Sequence, residues 1–142
     1  MCTNTDSDVV DRSFRRTFGQ LQSVFEFTNE FTQIHAISER VRYVLDLAVE
    51  ELFTNMVKYN PSGKGDIHMH LSFDKKEVLV QITDPDSDPF DVSKQRSVDL
   101  KRSLEERKPG GLGIYLVQKL VENLQYEHQN RTSIISFRLP LE

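Results

Sequence analysis

The sequence is poor in the features that would place it outside a cell or in a membrane. Cys2 is the single cysteine, which excludes an internal disulfide and a metal centre built from several thiolates. No apolar run approaches the roughly 18 residues that a membrane-spanning helix needs. The N-terminus, MCTNTDSDVV, lacks the basic start and apolar core of a signal peptide. We therefore expect a cytoplasmic protein with no membrane association.

Basic residues are also fewer than acidic residues. Eighteen Lys and Arg residues stand against 22 Asp and Glu residues, for a formal net charge of -4. Because nucleic-acid binding normally requires a basic face, direct binding of DNA or RNA is not expected. A length of 142 residues predicts one domain, and a hydrophobic content of 37% is enough to form its core.

The apolar residues change period along the chain in a way that predicts an α+β domain. Residues 1–12 are polar and are interpreted as a disordered leader before a domain at 13–142. Ser13–Phe18 predicts a short edge strand, and three- and four-residue spacing predicts helices over 21–34 and from 38 to 57. Alternation then predicts a strand pair in 67–82, and a helix from 112 precedes the closing strands. The order β-α-α-β-β-loop-α-β-β favours a two-layer sandwich.

Glu51 and Asn55 form the first candidate constellation. They lie four residues apart in the second predicted helix, so they project from one face about one turn apart. A carboxylate can accept a proton, and an amide oxygen can bind a hard cation such as Mg²⁺. A pair of this kind is, by itself, most often solvated helix surface.

The second constellation is a series of aspartates, which begins with Asp84 at the end of a predicted strand. A calcium loop is excluded because Pro89 stands where the sharp turn needs glycine, and Gln95 stands where a bidentate glutamate is needed. Two interpretations remain. The segment is an acidic turn, or Asp84 is a buried carboxylate that accepts a hydrogen bond from an amino group of a ligand.

The third constellation is a group of glycines, Gly110, Gly111 and Gly113, at the start of the last predicted helix. Glycines let the backbone approach an anion, and a helix N-terminus offers unpaired N–H groups to phosphate, although a purely structural helix start is commoner. No Lys-Ser/Thr pair follows, so this is not a Walker A loop. His68 and His70 alternate on one strand without a third ligand nearby in sequence, so they are interpreted as ordinary strand residues rather than metal ligands.

In this order and spacing, the three constellations resemble the nucleotide-binding boxes of the GHKL, or histidine kinase-like, ATPases. The best resemblance is to the anti-sigma-factor serine/threonine kinases of bacterial partner-switching systems. ELFTN at 51–55 resembles the N box, ITDPDSDPFD the first glycine box and GGLGIYLV the second. The resemblance covers residues 13–142. It implies the Bergerat ATP-binding fold, with a mixed sheet, helices on one face and a lid at about 85–110.

The resemblance also implies ATP and Mg²⁺ as cofactors and a role for each matching residue. Glu51 would be the general base for a serine hydroxyl, and Asn55 would coordinate Mg²⁺. Asp84 would accept a hydrogen bond from the adenine amino group. Further nucleotide contacts would come from Lys58, Arg107, Gly111, Leu112, Gly113 and Thr132.

The partners implied are other proteins. A small anti-sigma-factor antagonist of the STAS type would be the phosphorylation substrate, and a sigma factor or other regulatory target would be sequestered. A homodimer is also implied. The family pattern therefore predicts a kinase that also regulates by binding.

One position departs from the family pattern. Asp86 stands where the first glycine box has glycine, so a negative side chain lies where the backbone should pass close to the nucleotide. The alternative function is therefore a non-catalytic partner-binding module with weak or no ATP turnover. A detached histidine-kinase catalytic domain is less favoured, because the lid is short and no phosphoacceptor helix precedes the domain.

Overall fold

The computed structural model describes residues 8–89 and 111–141. These residues form, in chain order, β1 (Val9–Phe14), a 3₁₀ turn (Phe18–Gln20), α1 (Leu21–Ile34), α2 (Glu39–Tyr59), β2 (Ile67–Phe73), β3 (Glu77–Asp84), α3 (Gly111–Leu120), β4 (Glu122–Gln129) and β5 (Thr132–Pro140). The element order and the α+β class are as predicted. Residues 90–110, which include most of the expected lid and Arg107, lie outside the described residues.

The five strands form one sheet in the order β1-β2-β3-β5-β4. Every neighbouring pair within it is antiparallel, so the expected mixed sheet is a wrong prediction for the described residues. The reason lies in the position of β5. Strands β3 and β4 run in the same direction, but β5 returns between them and separates the two strands that would otherwise form a parallel pair.

The sheet has one apolar face, on which the helices pack. Alternate residues of the three central strands are buried on that face, among them Ile67, Val80 and Phe137. Ser38 caps the N-terminus of helix α2, and its hydroxyl accepts a hydrogen bond from the Val41 N–H at 3.3 Å. Helix α2 packs against α1, α3 and β5, and therefore occupies the centre of the helical layer.

The N-terminal boundary differs from the prediction. Strand β1 begins at Val9 and ends at Phe14, so residues 9–12 belong to the edge of the sheet rather than to a disordered leader. Antiparallel pairing with β2 extends over the whole strand, from Val9 opposite Ser72 to Phe14 opposite Ile67. Polar residues are ordered here by main-chain hydrogen bonds, which apolar periodicity does not reveal. Within the described ranges, no helix has the length and apolar character to cross a membrane.

Candidate functional site

Helix α2 brings Glu51 next to the first turn of α3. The Glu51 carboxylate lies so close to Gly113 that a Cβ at position 113 would collide with it. A side chain at position 113 would therefore force Glu51 to move. This contact joins the first and third constellations of the sequence.

The environment of Glu51 changes its proton affinity. Its side chain is half-buried, and this burial raises the pKa of the Glu51 carboxyl; the negative charge of Glu50 raises it further. A carboxylate with a raised pKa is a better proton acceptor near neutral pH. The side chain thus has the chemical property that a general base needs.

Asn55 lies one helical turn further along α2 and is buried, with 7% of its surface exposed. It lines a cavity of about 30 Å³ together with Tyr59, Asp84 and Ser133. A cavity of this size holds about one water molecule. Lys58 lies with its Nζ 5.4 Å from the centre of the Tyr59 ring.

Asp84, at the end of β3, is fully buried and paired with Arg16. The guanidinium donates from Nη1 to Oδ2 at 3.0 Å and from Nη2 to Oδ1 at 2.7 Å. The backbone N–H of Asp86 also donates to Oδ1, at 3.1 Å. Arg16 was missed by the sequence analysis, because it lies 68 residues from Asp84 and belongs to no motif.

Asp86, the residue in place of the family glycine, holds the turn after β3 in position. Its Oδ1 accepts from Arg131 Nε and its Oδ2 from the Lys64 N–H, both at 2.6 Å. Arg131 also donates to Asp88, at 2.9 Å. The hydrogen bond from Arg131, and then that from Lys64, lower the pKa of Asp86. The departure from the family pattern therefore replaces a flexible residue with an anchored one.

The register of β5 places Ser133 opposite Asp84, and Ser133 lines the cavity. Thr132, the predicted nucleotide contact, is the first residue of β5 and lies opposite Gln129 of β4. The Ser133 hydroxyl is hydrogen-bonded to that of Ser87 at 2.6 Å. Alternation is the signal that would have found it, because Ser133 has the same parity as the buried Ile135 and Phe137.

The predicted site residues thus fall into two adjacent groups. Glu51 meets Gly113 at the start of α3, where Gly111 and Leu112 also lie, and Asn55 shares the cavity with Asp84. Arg107 lies outside the described residues. His68 and His70 are on the outward face of the sheet, where both donate to Asp11 Oδ1, at 2.9 and 2.7 Å.

The polar groups fit a magnesium ion only if the nucleotide supplies most of the ligands. Among the described residues, no three His, Cys, Asp or Glu side chains converge to hold a metal ion. Mg²⁺ in phosphoryl-transfer sites is commonly held by one or two protein oxygens together with substrate phosphates and water. The buried amide oxygen of Asn55 is of the right chemical type for one such ligand.

Comparison with known proteins gives consistent results. A family model described as the histidine kinase-like ATPase domain matches residues 14–139. The serine/threonine-protein kinase BtrW of Bordetella bronchiseptica is 30% identical over 95 residues, which is 66% of this chain and 66% of that relative. The match thus spans slightly less than two thirds of BtrW.

A solved structure shows the same fold. A chain in the crystal structure of the SiaB–SiaC complex from Pseudomonas aeruginosa aligns with a TM-score of 0.64 at 12% identity. The alignment covers 96% of this chain and 92% of that one. At so low an identity, the likeness concerns the fold alone.

Proposed function

Because this chain belongs to the histidine kinase-like ATPase domain family, we propose that it is an ATP-dependent protein serine/threonine kinase. The observation that carries the proposal is the placement of Glu51. This half-buried carboxylate has a raised pKa, contacts Gly113 at the start of α3 and lies one turn from Asn55. A proton acceptor, an amide ligand and a glycine-containing helix start are thus adjacent.

In the proposed reaction, Glu51 accepts the proton of the attacking serine or threonine hydroxyl. The N-terminal N–H groups of α3 bind phosphate oxygens, since they have no partners within the helix. Asn55 would hold Mg²⁺, which would supply positive charge to the transferring phosphoryl group. Asp84 accepts a hydrogen bond from the adenine amino group. Phosphoryl transfer needs mainly such positioning and charge stabilisation.

The proposed substrate is a small anti-sigma-factor antagonist of the STAS type, and the proposed second partner is a sigma factor or another regulatory target. Two similarities support protein partners. The relative BtrW is named a serine/threonine-protein kinase, and the similar solved chain comes from a complex of two proteins. A homodimer remains a prediction from the family resemblance.

Substitution of Glu51 tests the proposed chemistry. The chain is incubated with MgATP and a candidate STAS-type antagonist protein, and phosphoserine and phosphothreonine are measured by mass spectrometry. Glu51→Gln should reduce transfer by at least about a hundredfold, because general base catalysis commonly contributes 10²–10⁴-fold. Its affinity for ATP, measured by calorimetry, should change little.

The matched control is Glu39→Gln, which removes an exposed carboxylate from the first turn of the same helix. This variant should transfer phosphate at close to the normal rate. A Glu51→Gln variant as active as the unmodified protein would exclude Glu51 as the base.

A second candidate function is a partner-binding module without ATP turnover. It is supported by the small volume of the cavity beside Asp84. This cavity has a volume of about 30 Å³, and Asp86 and Asp88 in the following turn are both paired with Arg131. Calorimetric titration with MgATP separates the two functions. Binding below millimolar ATP supports the kinase, whereas no binding at several millimolar supports the module.

A further inference from the structure

We propose that Arg16 determines the base specificity of the nucleotide site by fixing the orientation of the Asp84 carboxylate. This inference rests on the proposed function, in which Asp84 contacts the base. Arg16 is a positioning residue, since it acts on the nucleotide through Asp84. Its role follows from burial, from hydrogen-bond counting and from the chemistry of purines.

Arg16 and Asp84 form a buried ion pair. The side chains of Arg16 and Asp84 are 5% and 0% exposed, and two hydrogen bonds join them. A carboxylate removed from water is unstable as an anion unless a cation and hydrogen bonds replace the lost hydration. Among the residues that the structure describes, Arg16 is the cation bonded to Asp84. The buried Asp84 carboxylate therefore depends on Arg16 for two of its hydrogen bonds.

The guanidinium of Arg16 is itself held in place. Its Nη2 also donates to the carbonyl oxygens of Lys64 and Gly65, both at 3.3 Å. The backbone at Gly63 passes so close that a Cβ there would lie 2.8 Å from Arg16 Cζ. The turn after α2 thus fixes the guanidinium, and the guanidinium fixes the orientation of the Asp84 carboxylate.

Counting acceptor sites shows what Asp84 can still bind. A carboxylate has about four lone-pair sites and, when ionised, no donor. Oδ1 accepts from Arg16 Nη2 and from the Asp86 N–H, and Oδ2 accepts from Arg16 Nη1. Counting donors from the described residues alone, one acceptor site on Oδ2 remains, and Asp84 lines the cavity that it shares with Asn55. Asp84 can therefore accept one hydrogen bond from a ligand and can donate none.

This property distinguishes the two purines. Adenine presents an amino donor at the position where guanine presents a carbonyl acceptor. An acceptor-only carboxylate binds the amino group and repels the carbonyl. Without Arg16, the Asp84 carboxylate would lose two of its hydrogen bonds and the guanidinium that fixes its orientation. Its remaining acceptor site would no longer be held in one direction, so discrimination between the bases should fall.

The test measures the affinities of the full chain for MgATP and MgGTP by calorimetry. The unmodified protein should prefer ATP by on the order of a hundredfold or more, since sites built around a specific hydrogen bond reject analogues strongly. Arg16→Met should weaken ATP binding and reduce the ATP/GTP preference by about tenfold or more, because a buried charge loses its partner. Arg16→Lys keeps the charge but loses the bidentate geometry, so its preference should be intermediate.

Arg12→Met is the matched control. Arg12 lies on the same strand region, but its ion pair with Glu30 is exposed, so this variant should keep the full ATP/GTP preference. Circular dichroism checks that each variant folds, and Arg16→Gln replaces Arg16→Met if the latter does not. In an Asp84→Asn background, Arg16→Met should cause little further change in preference, because the two residues act as one unit.

The outcomes separate this inference from the function on which it rests. A protein that binds neither nucleotide overturns the proposed function and the inference together. A protein that prefers ATP, and keeps that preference when Arg16 is neutral, overturns the role of Arg16 alone. Tighter ATP binding by Arg16→Met would also overturn it, because Arg16 would then be an obstruction.

Discussion

At the residue scale, a side chain at position 113 is disfavoured by a steric contact, not by the backbone conformation of Gly113. It lies inside α3, where alanine would normally stabilise a helix relative to glycine by about 1 kcal/mol. The Glu51 carboxylate occupies the space that the alanine methyl group would need. Replacement of Gly113 by alanine should therefore change the free energy of unfolding and the phosphotransfer rate in opposite directions or to very different extents.

Gly113→Ala should leave the free energy of unfolding within about 2 kcal/mol of the unmodified protein, since the helix-propensity gain offsets part of an overpacking cost of about 1–3 kcal/mol. Phosphotransfer should fall by at least about tenfold, because Glu51 must move and misplacement of a catalytic group is costly. Urea denaturation and the phosphotransfer rate are the two measurements. Wild-type transfer by this variant would contradict the importance of the Glu51–Gly113 contact.

Gly19→Ala is the control for this prediction. A Cβ at Gly19 would meet only Thr17 Oγ1, at an ordinary contact distance of 3.8 Å. Both the stability and the transfer rate of that variant should stay close to those of the unmodified protein.

At the element scale, the turn after β3 depends on charged side chains. The pKa of Asp86 is lowered in the folded protein by Arg131 and the Lys64 N–H. A carboxyl group whose pKa is lowered on folding stabilises the fold above its unfolded-state pKa, near 3.9, and this contribution is lost as the pH falls through the folded-state pKa. The stabilising effect of Asp86 is thus fully present at neutral pH and disappears in acid.

Asp86→Asn should therefore be less stable than the unmodified protein at pH 7, and the difference should shrink below about pH 4. Urea denaturation at several pH values between 3 and 7 measures it. Arg131→Met removes the same hydrogen bond from the other side and should reproduce the pH-dependent loss. Parallel stability curves for Asp86→Asn and the unmodified protein would refute this assignment.

Sequence patterns predicted the buried elements well. The periodicity over 21–34 and 38–57 gave α1 and α2 almost residue for residue, because each helix has an apolar stripe that packs on a core. Strand β1 was placed too late, since its order comes from pairing with β2 rather than from side-chain burial. The all-antiparallel arrangement was missed because strand neighbours far apart in sequence carry no local signal.

In the candidate site, some residues could be predicted from the sequence and others could not. The family motifs led to Glu51, Asn55, Asp84 and the glycines, although their roles stay predictions. Arg16 was missed, because its pairing with Asp84 exists only after β1 and β3 have joined one sheet. Ser133 belongs to no family motif, and only its place in the alternating pattern of β5 indicates that it faces the cavity.

At the scale of the whole molecule, one core supports both groups of site residues. Leu45, Leu52 and Phe53 of α2 are completely buried in the cluster that joins the helices to the sheet. Since Glu51 and Asn55 lie on the same helix, the packing of α2 sets their positions. Stability and site geometry should therefore be lost together when α2 is loosened.

Leu52→Ala should lower the free energy of unfolding by about 2–5 kcal/mol, because a fully buried side chain is truncated and leaves a cavity. Leu120→Ala, at a position 43% exposed on α3, should change it by less than about 0.5–1 kcal/mol. Urea denaturation followed by circular dichroism measures both. Equal effects of the two substitutions would contradict the described core.

The insertion of β5 between β3 and β4 has a consequence for how the protein is made. A ribosome synthesises β3 well before β5, so the edge of β3 stays without its neighbour while residues 85–131 are added. Until β5 arrives, Ser133 cannot complete the cavity around Asp84. An unfinished chain therefore has an unpaired strand edge that favours aggregation, and the cavity around Asp84 is not yet assembled.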